Sequence, residues 1–94
     1  MNSNLSSIGN LISKMVYCLE AGTYTIEIPS KNSFLIILVS KNRIGNLYCI
    51  IYGQIIPIVE NNKDFSASID DTGRIVTITA STGYYQIGVI IPTK

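Results

Sequence analysis

The strongest local indication of fold lies in the stretch FSASIDDTGRIVTIT, residues 65–79. Apolar residues alternate with serines before residue 70, and a second alternating run begins at Ile75. The residues between the two runs are typical of a tight turn that ends with Gly73 in a left-handed conformation. We interpret Asp70 and Asp71 as turn residues rather than metal ligands, because Asp side chains readily bond to nearby backbone. The stretch therefore predicts a β-hairpin.

The chain from residue 16 onward has the same organisation, with short strand-like segments separated by turn residues about every 8–12 positions. Residues 23–28 alternate cleanly between polar and apolar, which predicts a half-buried strand. Residues 46–59 read as two strands, or as one strand bent at Gly53, and Pro57 restricts the second part to a sheet edge or a bulge. The β-branched residues Ile, Val and Thr, which favour strands, occur 18, 5 and 7 times among 94 residues. We expect a small all-β fold, an antiparallel β-sandwich or jelly roll of 7–8 strands.

The composition favours self-association. Charged residues make up 14% of the chain and apolar residues 47%, whereas charged residues are about 25% of a typical globular domain. The segment 34–40, FLIILVS, is apolar on both faces. Such a strand is either covered twice within one domain, or faces the core on one side and another subunit on the other. We expect a homo-oligomer, with Ile36 and Leu38 as candidate interface residues.

Residues 1–15 differ from the domain at 16–94, since they are rich in Asn and Ser. Their apolar residues follow spacings of 3, 4 and 3, as in the seam of a coiled coil. Gly9 and the serines weaken an isolated helix. The segment is therefore either a short oligomerisation helix or an extended linker. Its candidate interface residues are Leu5, Ile8, Ile12 and Met15.

Catalytic chemistry has little support in the sequence. The chain has no His, which excludes Ser-His-Asp and Cys-His arrangements. The six carboxylates fall almost entirely at predicted turns or on polar strand faces, and no Gly-rich loop opens a helix. We expect a non-enzymatic protein without a metal or cofactor.

Other partner classes are also disfavoured. The net charge is +1 with no basic stripe, which argues against nucleic acid. The longest apolar run, residues 34–39, is too short to cross a membrane, and residues 1–4 do not begin a signal peptide. These features predict a protein made in a cytoplasm. There Cys18 and Cys49 are expected to be reduced and buried, with a disulfide between them as the alternative.

Binding is the remaining function class. Tyrosine is common at recognition surfaces because it combines a rigid apolar ring with a polar tip. Tyr48, Tyr52 and Tyr84 are candidate partner or receptor contacts, together with Arg43. The same rings could instead fill the core or a subunit contact.

Several segments give the chain a resemblance to the C-terminal tip domains of phage tail fibres. The segments are GTYTIEIP at 22–29, FLIILV at 34–39, the hairpin IDDTGRI at 69–75 and the final strand YQIGVII at 85–91. The resemblance implies a homotrimer located on a virion, with the N-terminal segment on the axis. Distal loops, here at 40–46 and 60–64, would bind a glycan or protein receptor on a cell surface.

Two other functions fit the same patterns. A monomeric carbohydrate-binding or adhesin-type sandwich would expose Tyr48 and Tyr52 as a coplanar pair. A purely structural virion assembly protein would bind only itself or neighbouring virion proteins.

Overall fold

The computed structural model describes residues 12–30 and 32–90, which fold into strands joined by turns and short loops. The expectation of a small all-β sandwich is confirmed. The eight strands are β1 (Ile12–Cys18), β2 (Gly22–Glu27), β3 (Phe34–Lys41), β4 (Ile44–Ile51), β5 (Gln54–Glu60), β6 (Phe65–Ile69), β7 (Ile75–Ala80) and β8 (Tyr85–Ile90).

The strands form two antiparallel sheets of unequal size. The larger sheet has the order β1-β8-β3-β4-β5 and the smaller has the order β2-β7-β6. Consecutive strands β3, β4 and β5 form a meander, whereas β1 pairs with β8 and β2 with β7. The first two strands thus pair with the last two, so both sheets depend on contacts between residues that are distant in sequence.

The core lies between the two sheets and follows from period-two alternation. Every second residue of β3, β4 and β8 points inward, as does every second residue of β7. In β2, Ile26 is buried while Thr25 and Glu27 are exposed, which confirms the predicted half-buried strand. The buried apolar residues are Ile26, Ile28, Leu35, Ile37, Val39, Tyr48, Ile50, Phe65, Val76, Ile78, Ala80, Tyr85, Ile87 and Val89.

The predicted hairpin is present. Gly73 has φ 72° and its N–H donates to the Asp70 carbonyl at 3.0 Å, closing the turn between β6 and β7. One carboxylate oxygen of Asp70 accepts from the Thr72 hydroxyl at 2.7 Å and from the Ile75 N–H at 3.0 Å. Asp70 therefore acts as a turn former through its side chain, as the sequence predicted.

The turn between β3 and β4 has positive φ at two residues other than glycine, Asn42 at 53° and Arg43 at 68°. Two successive positive φ values define the type I′ turn of a tight hairpin. Gly45 is needed for space, because a Cβ there would lie 2.7 Å from the Val39 carbonyl oxygen.

Strand β5 confirms the interpretation of Pro57 as an edge or bulge residue. It lies at the edge of the larger sheet, and the register with β4 shifts between Leu47 and Tyr48. Residues 46–59 therefore form two strands rather than one, and the turn at Tyr52 and Gly53 separates them.

The proposed boundary at residue 15 does not match the strands. Ile12–Met15 belong to β1 and pair with β8, so this part of the N-terminal segment is neither helical nor a separate linker. Of the four apolar residues with spacings of 3, 4 and 3, only the last two, Ile12 and Met15, fall in β1. Two apolar residues three positions apart do not distinguish a helix from a strand. Leu5 and Ile8 lie outside the described residues.

Cys18 and Cys49 are free thiols, and both are half-buried. Cys18 packs against the core, whereas Cys49 lies on the opposite side of its sheet. The disulfide alternative is thus not realised. Within residues 12–30 and 32–90, no helix is long and apolar enough to cross a membrane.

Candidate functional site

The larger sheet has one face against the core and one face directed away from it. Strand pairing aligns the outward side chains into rows that cross the sheet. One row comprises Met15, Gly88, Leu38, Leu47 and Val59, and the next comprises Ile90, Ile36, Cys49 and Ile56. We call these two rows, with Phe34 and Ile51 beside them, the outer face.

The outer face is apolar and carries no charged side chain among the described residues that form it. Leu38, at its centre, is 45% exposed, and Phe34, Met15, Ile56 and Val59 are also exposed. By contrast, the outward residues of β2 include Thr23, Thr25 and Glu27. A single chain therefore covers its core but leaves a second apolar surface in water, which is typical of an interface.

Strand β5 extends this surface around the edge of the sheet. The smaller sheet has three strands and the larger has five, so the sandwich leaves β5 largely uncovered. Ile56, Ile58 and Val59 are exposed, and Ile55 is half-buried. Residues 56–59 of β5, all uncharged and exposed, thus continue the outer face to the edge of the sheet.

The predicted interface residues lie on or beside this face where the structure describes them. Leu38 is exposed at its centre, Ile36 is half-buried beside it, and Met15 is exposed at the β1 edge. The backbone of Ile12 pairs with Ile90 in the second row.

A pocket of about 340 Å³ lies at one end of the same sheet, where the outward residues become polar. Tyr17 pairs with Gln86, and Gln86 pairs with Ser40. The turn between β3 and β4 and the loop before β8 complete the walls. Its lining residues are Tyr17, Ser40, Lys41, Asn42, Arg43, Tyr84 and Gln86.

The pocket combines positive charge with aromatic rings. Lys41 and Arg43 bring two cations, and none of the described lining residues is acidic. The Lys41 ammonium donates a hydrogen bond to the Thr82 hydroxyl, which ties the end of β3 to the loop before β8. Tyr17 and Tyr84 are 59% and 66% exposed, so both rings are accessible at the pocket.

The backbone at the pocket is strained. Asn42, Arg43 and Tyr84 all have positive φ, and Tyr84 has φ 57°. A left-handed conformation costs a non-Gly residue about 1–2 kcal/mol, and Asn tolerates it better than a bulky residue. Residues held in such conformations cluster at ligand-binding and active sites.

The four predicted surface residues have three different locations. Arg43 and Tyr84 lie together at the pocket. Tyr52 is 72% exposed, but it lies in the turn at the opposite end of the sandwich. Of the loops expected at 40–46 and 60–64, the first is a two-residue turn between long strands.

The prediction that Tyr48 contributes to a partner surface is wrong. Tyr48 is 2% exposed and its ring belongs to the core, since the inward face of β4 carries Asn46, Tyr48 and Ile50. Asn46 supplies the polar partner that the buried hydroxyl needs, with its Nδ2 donating to Tyr48 Oη at 3.0 Å. Burial raises the pKa of Tyr48, partly offset by this hydrogen bond. Tyr48 and Tyr52 therefore cannot form a coplanar exposed pair.

Two pocket residues, Tyr17 and Gln86, were not anticipated from the sequence, whereas Lys41 falls within the loop predicted at 40–46. Tyr17 and Gln86 lie on β1 and β8, and only the pairing of these strands with each other and with β3 brings them to the pocket. Their positions next to predicted turns were the one available signal, and that signal applies equally to many other residues.

Among the described residues, no three His, Cys, Asp or Glu side chains gather as metal ligands would. Comparison of the chain with protein-family models, with curated proteins and with solved structures finds no match.

Proposed function

We propose that this chain is a non-enzymatic structural and receptor-binding module of a phage-like tail fibre, which assembles into a homotrimer. The observation that carries the proposal is the uncharged outer face of the larger sheet, with Leu38 exposed at its centre. Assembly through this face would bury it against other copies of the chain. The pocket end would remain free to contact a receptor on a cell surface.

The size of the apolar surface favours another copy of the chain as the occupant. Strand spacing and rise give the outer face an area on the order of 400 Å², which is similar to the largest patch on a typical monomer. A stable interface buries about 800 Å² per partner. The exposed residues of β5 extend the available area towards that value. In a closed trimer each copy contacts its two neighbours through two different surfaces, and the outer face and the exposed strand β5 are the two candidates.

The absence of charge on the described outer face also indicates that its partner has an uncharged surface. A charged partner surface would lose hydration on this face without gaining an ion pair. Interface centres are depleted in charged residues, and a second copy supplies a matching uncharged surface. The resemblance of residues 22–29, 34–39, 69–75 and 85–91 to fibre-tip domains supports the trimer over other closed assemblies.

Light scattering during gel filtration tests the proposal directly. The full chain at micromolar concentration is expected to have three times the mass of one chain. Leu38→Asp places a charge at the centre of the outer face and is expected to give a folded monomer, with folding checked by circular dichroism. Thr25→Asp places the same charge on the exposed face of the smaller sheet and is expected to leave the trimer unchanged.

Two results would contradict the proposal. One is a wild-type chain that is monomeric at micromolar concentration. The other is a Leu38→Asp variant that keeps the wild-type mass, because the interface would then lie elsewhere. A trimer that binds no cell-surface component would leave the purely structural assembly protein as the correct alternative.

A further inference from the structure

The pocket has a composition that defines a class of ligand. Two cations, Lys41 and Arg43, lie among three uncharged polar residues, Ser40, Asn42 and Gln86, and two tyrosines. The cations match a carboxylate or sulfate group. The amides and the hydroxyl match a sugar's array of hydroxyl groups, and tyrosine rings provide flat faces against which a sugar ring can pack.

We infer that this pocket binds an acidic saccharide, that is, a sugar that carries a carboxylate or sulfate group. The volume of about 340 Å³ lies at the small end of the range for ligand pockets, so it suits a short saccharide rather than a long polymer segment. The inference deepens the proposed receptor-binding role and rests on it for its biological meaning. All the residues involved belong to one chain.

The geometry assigns separate roles to the two cations. Lys41 is partly buried and held by Thr82, so its position is fixed before a ligand arrives. Arg43 is exposed at the tip of the turn, where its planar guanidinium can form two parallel hydrogen bonds to one carboxylate. Lys41 therefore provides a fixed charge, and Arg43 provides the directional contact.

The backbone conformation provides a way to test this assignment separately from charge. Tyr84 and Arg43 both have positive φ, and Asn is better tolerated in that conformation. Asn at either position would relieve strain and remove a contact to the ligand. Loss of binding without loss of stability would therefore identify these side chains as ligand contacts rather than supports of the fold.

The location of the pocket is compatible with the trimer. It occupies the polar row formed by Tyr17, Gln86 and Ser40, next to the apolar rows of the outer face. A subunit contact confined to the apolar rows would leave this end of the sheet available. Several copies in one assembly would then present several pockets in the same direction, which strengthens weak binding to a cell surface.

The test compares galacturonic acid with galactose, which differ only in a carboxylate versus a hydroxymethyl group. Amide resonances of isotope-labelled full chain are followed during titration with each sugar and with sodium sulfate. Galacturonic acid is expected to shift the resonances of Tyr17, Tyr84 and Gln86 and to bind at least about tenfold more tightly than galactose or sulfate. Equal binding of galactose would refute recognition of the acidic group. Equal binding of sulfate would reduce the pocket to a general anion site.

Three variants complete the test. Arg43→Asn and Tyr84→Asn are each expected to weaken galacturonic acid binding about tenfold or more while the chain stays folded. Lys63→Gln removes a nearby charge outside the pocket and is expected to leave binding unchanged. Unchanged binding in both pocket variants would overturn the inference. Binding retained by monomeric Leu38→Asp would separate this inference from the proposed trimer, since the pocket would be intact without assembly.

Discussion

Asn46 and Tyr48 lie two residues apart on the inward face of β4, and Asn46 Nδ2 donates to Tyr48 Oη at 3.0 Å. The same amide group also donates to the Asn62 carbonyl at 2.9 Å, and Asn46 Oδ1 accepts from the Asn62 N–H at 2.9 Å. A single buried side chain therefore connects a core tyrosine to the loop between β5 and β6. This loop borders the end of the sandwich where the pocket lies.

The first prediction concerns this connection. Asn46→Ala is expected to lower the free energy of unfolding by about 3 kcal/mol, because it leaves the Tyr48 hydroxyl and the Asn62 N–H without their partners. Tyr48→Phe removes only the hydroxyl and is expected to cost about 1 kcal/mol. Urea unfolding at one fixed protein concentration measures both. Asn61→Ala changes an exposed neighbour and is expected to stay within about 0.5 kcal/mol of wild type. Similar costs for Asn46→Ala and Asn61→Ala would show that the network does not support the loop.

Much of the fold could be predicted from local patterns, and β6, β7 and β2 illustrate why. In these strands only one face is buried, so polar and apolar residues alternate and reveal both the strand and its orientation. The turn at Gly73 has residues specific to its geometry. These signals lie within a few residues of each other and need no knowledge of strand order.

The candidate sites could be predicted only in part, because they depend on which strands are neighbours. In β4 both faces are rich in apolar residues, so alternation cannot show which face is buried. Tyr48 was placed on the wrong face for this reason. The pocket joins residues as distant as Tyr17 and Gln86, and the register that aligns them follows from tertiary packing.

The second prediction concerns acid stability at the β6–β7 turn. The Thr72 hydroxyl, followed by the backbone N–H groups of Ile75 and Arg74, lowers the pKa of Asp70 from its ordinary 3.8. A lowered pKa in the folded state contributes stability above the ordinary value, and this stability is lost as the pH falls through the folded value. Asp70→Asn is therefore expected to lower the urea midpoint at neutral pH. As the pH is lowered, the urea midpoint of this variant should fall less than that of wild type. Asp71→Asn is the charge-matched control. An identical acid profile for Asp70→Asn and wild type would contradict the prediction.

The third prediction concerns alkaline stability. Burial, followed by the hydrogen bond with Cys18, raises the pKa of Tyr85 from 10.0 to about 12. A raised folded pKa means that the contribution of this tyrosine is complete below pH 10 and is lost as the pH rises towards about 12. Urea midpoints measured across this range should fall more steeply for wild type than for Tyr85→Phe, which cannot ionise at this position. Parallel curves for the two proteins would show that Tyr85 ionises as readily in the folded chain as in the unfolded chain.

The fourth prediction uses the strained turn between β4 and β5. Tyr52 has φ 50° and is followed by Gly53 with φ 73°, and Asn-Gly is the preferred pair for such a type I′ turn. Tyr52→Asn is expected to raise the free energy of unfolding by about 1 kcal/mol. Tyr17→Asn makes the same chemical change in a β-strand, where Asn is disfavoured, and is expected to lower it. A destabilising Tyr52→Asn would indicate that the exposed ring makes contacts in the assembled protein.

The fifth prediction follows the accessibility of Cys49, which lies in the second row of the outer face between Ile36 and Ile56. If copies of the chain pack through this face, the Cys49 thiol is buried by assembly. Its reaction with a maleimide should then be slow at high protein concentration and faster on dilution. The experiment uses Cys18→Ala so that Cys49 is the one thiol followed.

Leu38→Asp provides the matched comparison for Cys49 labelling, because Leu38 lies in the adjacent row and does not pair directly with Cys49. In this variant the thiol should react at the dilute-solution rate at every concentration, since the charge prevents assembly without unfolding the sandwich. Thr25→Asp should keep the concentration dependence, since its charge lies on the other sheet. A wild-type labelling rate that is independent of concentration, in a protein that light scattering shows to be oligomeric, would place the subunit contact away from the outer face. The exposed strand β5 would then be the next surface to test, with Ile58→Asp as the corresponding variant.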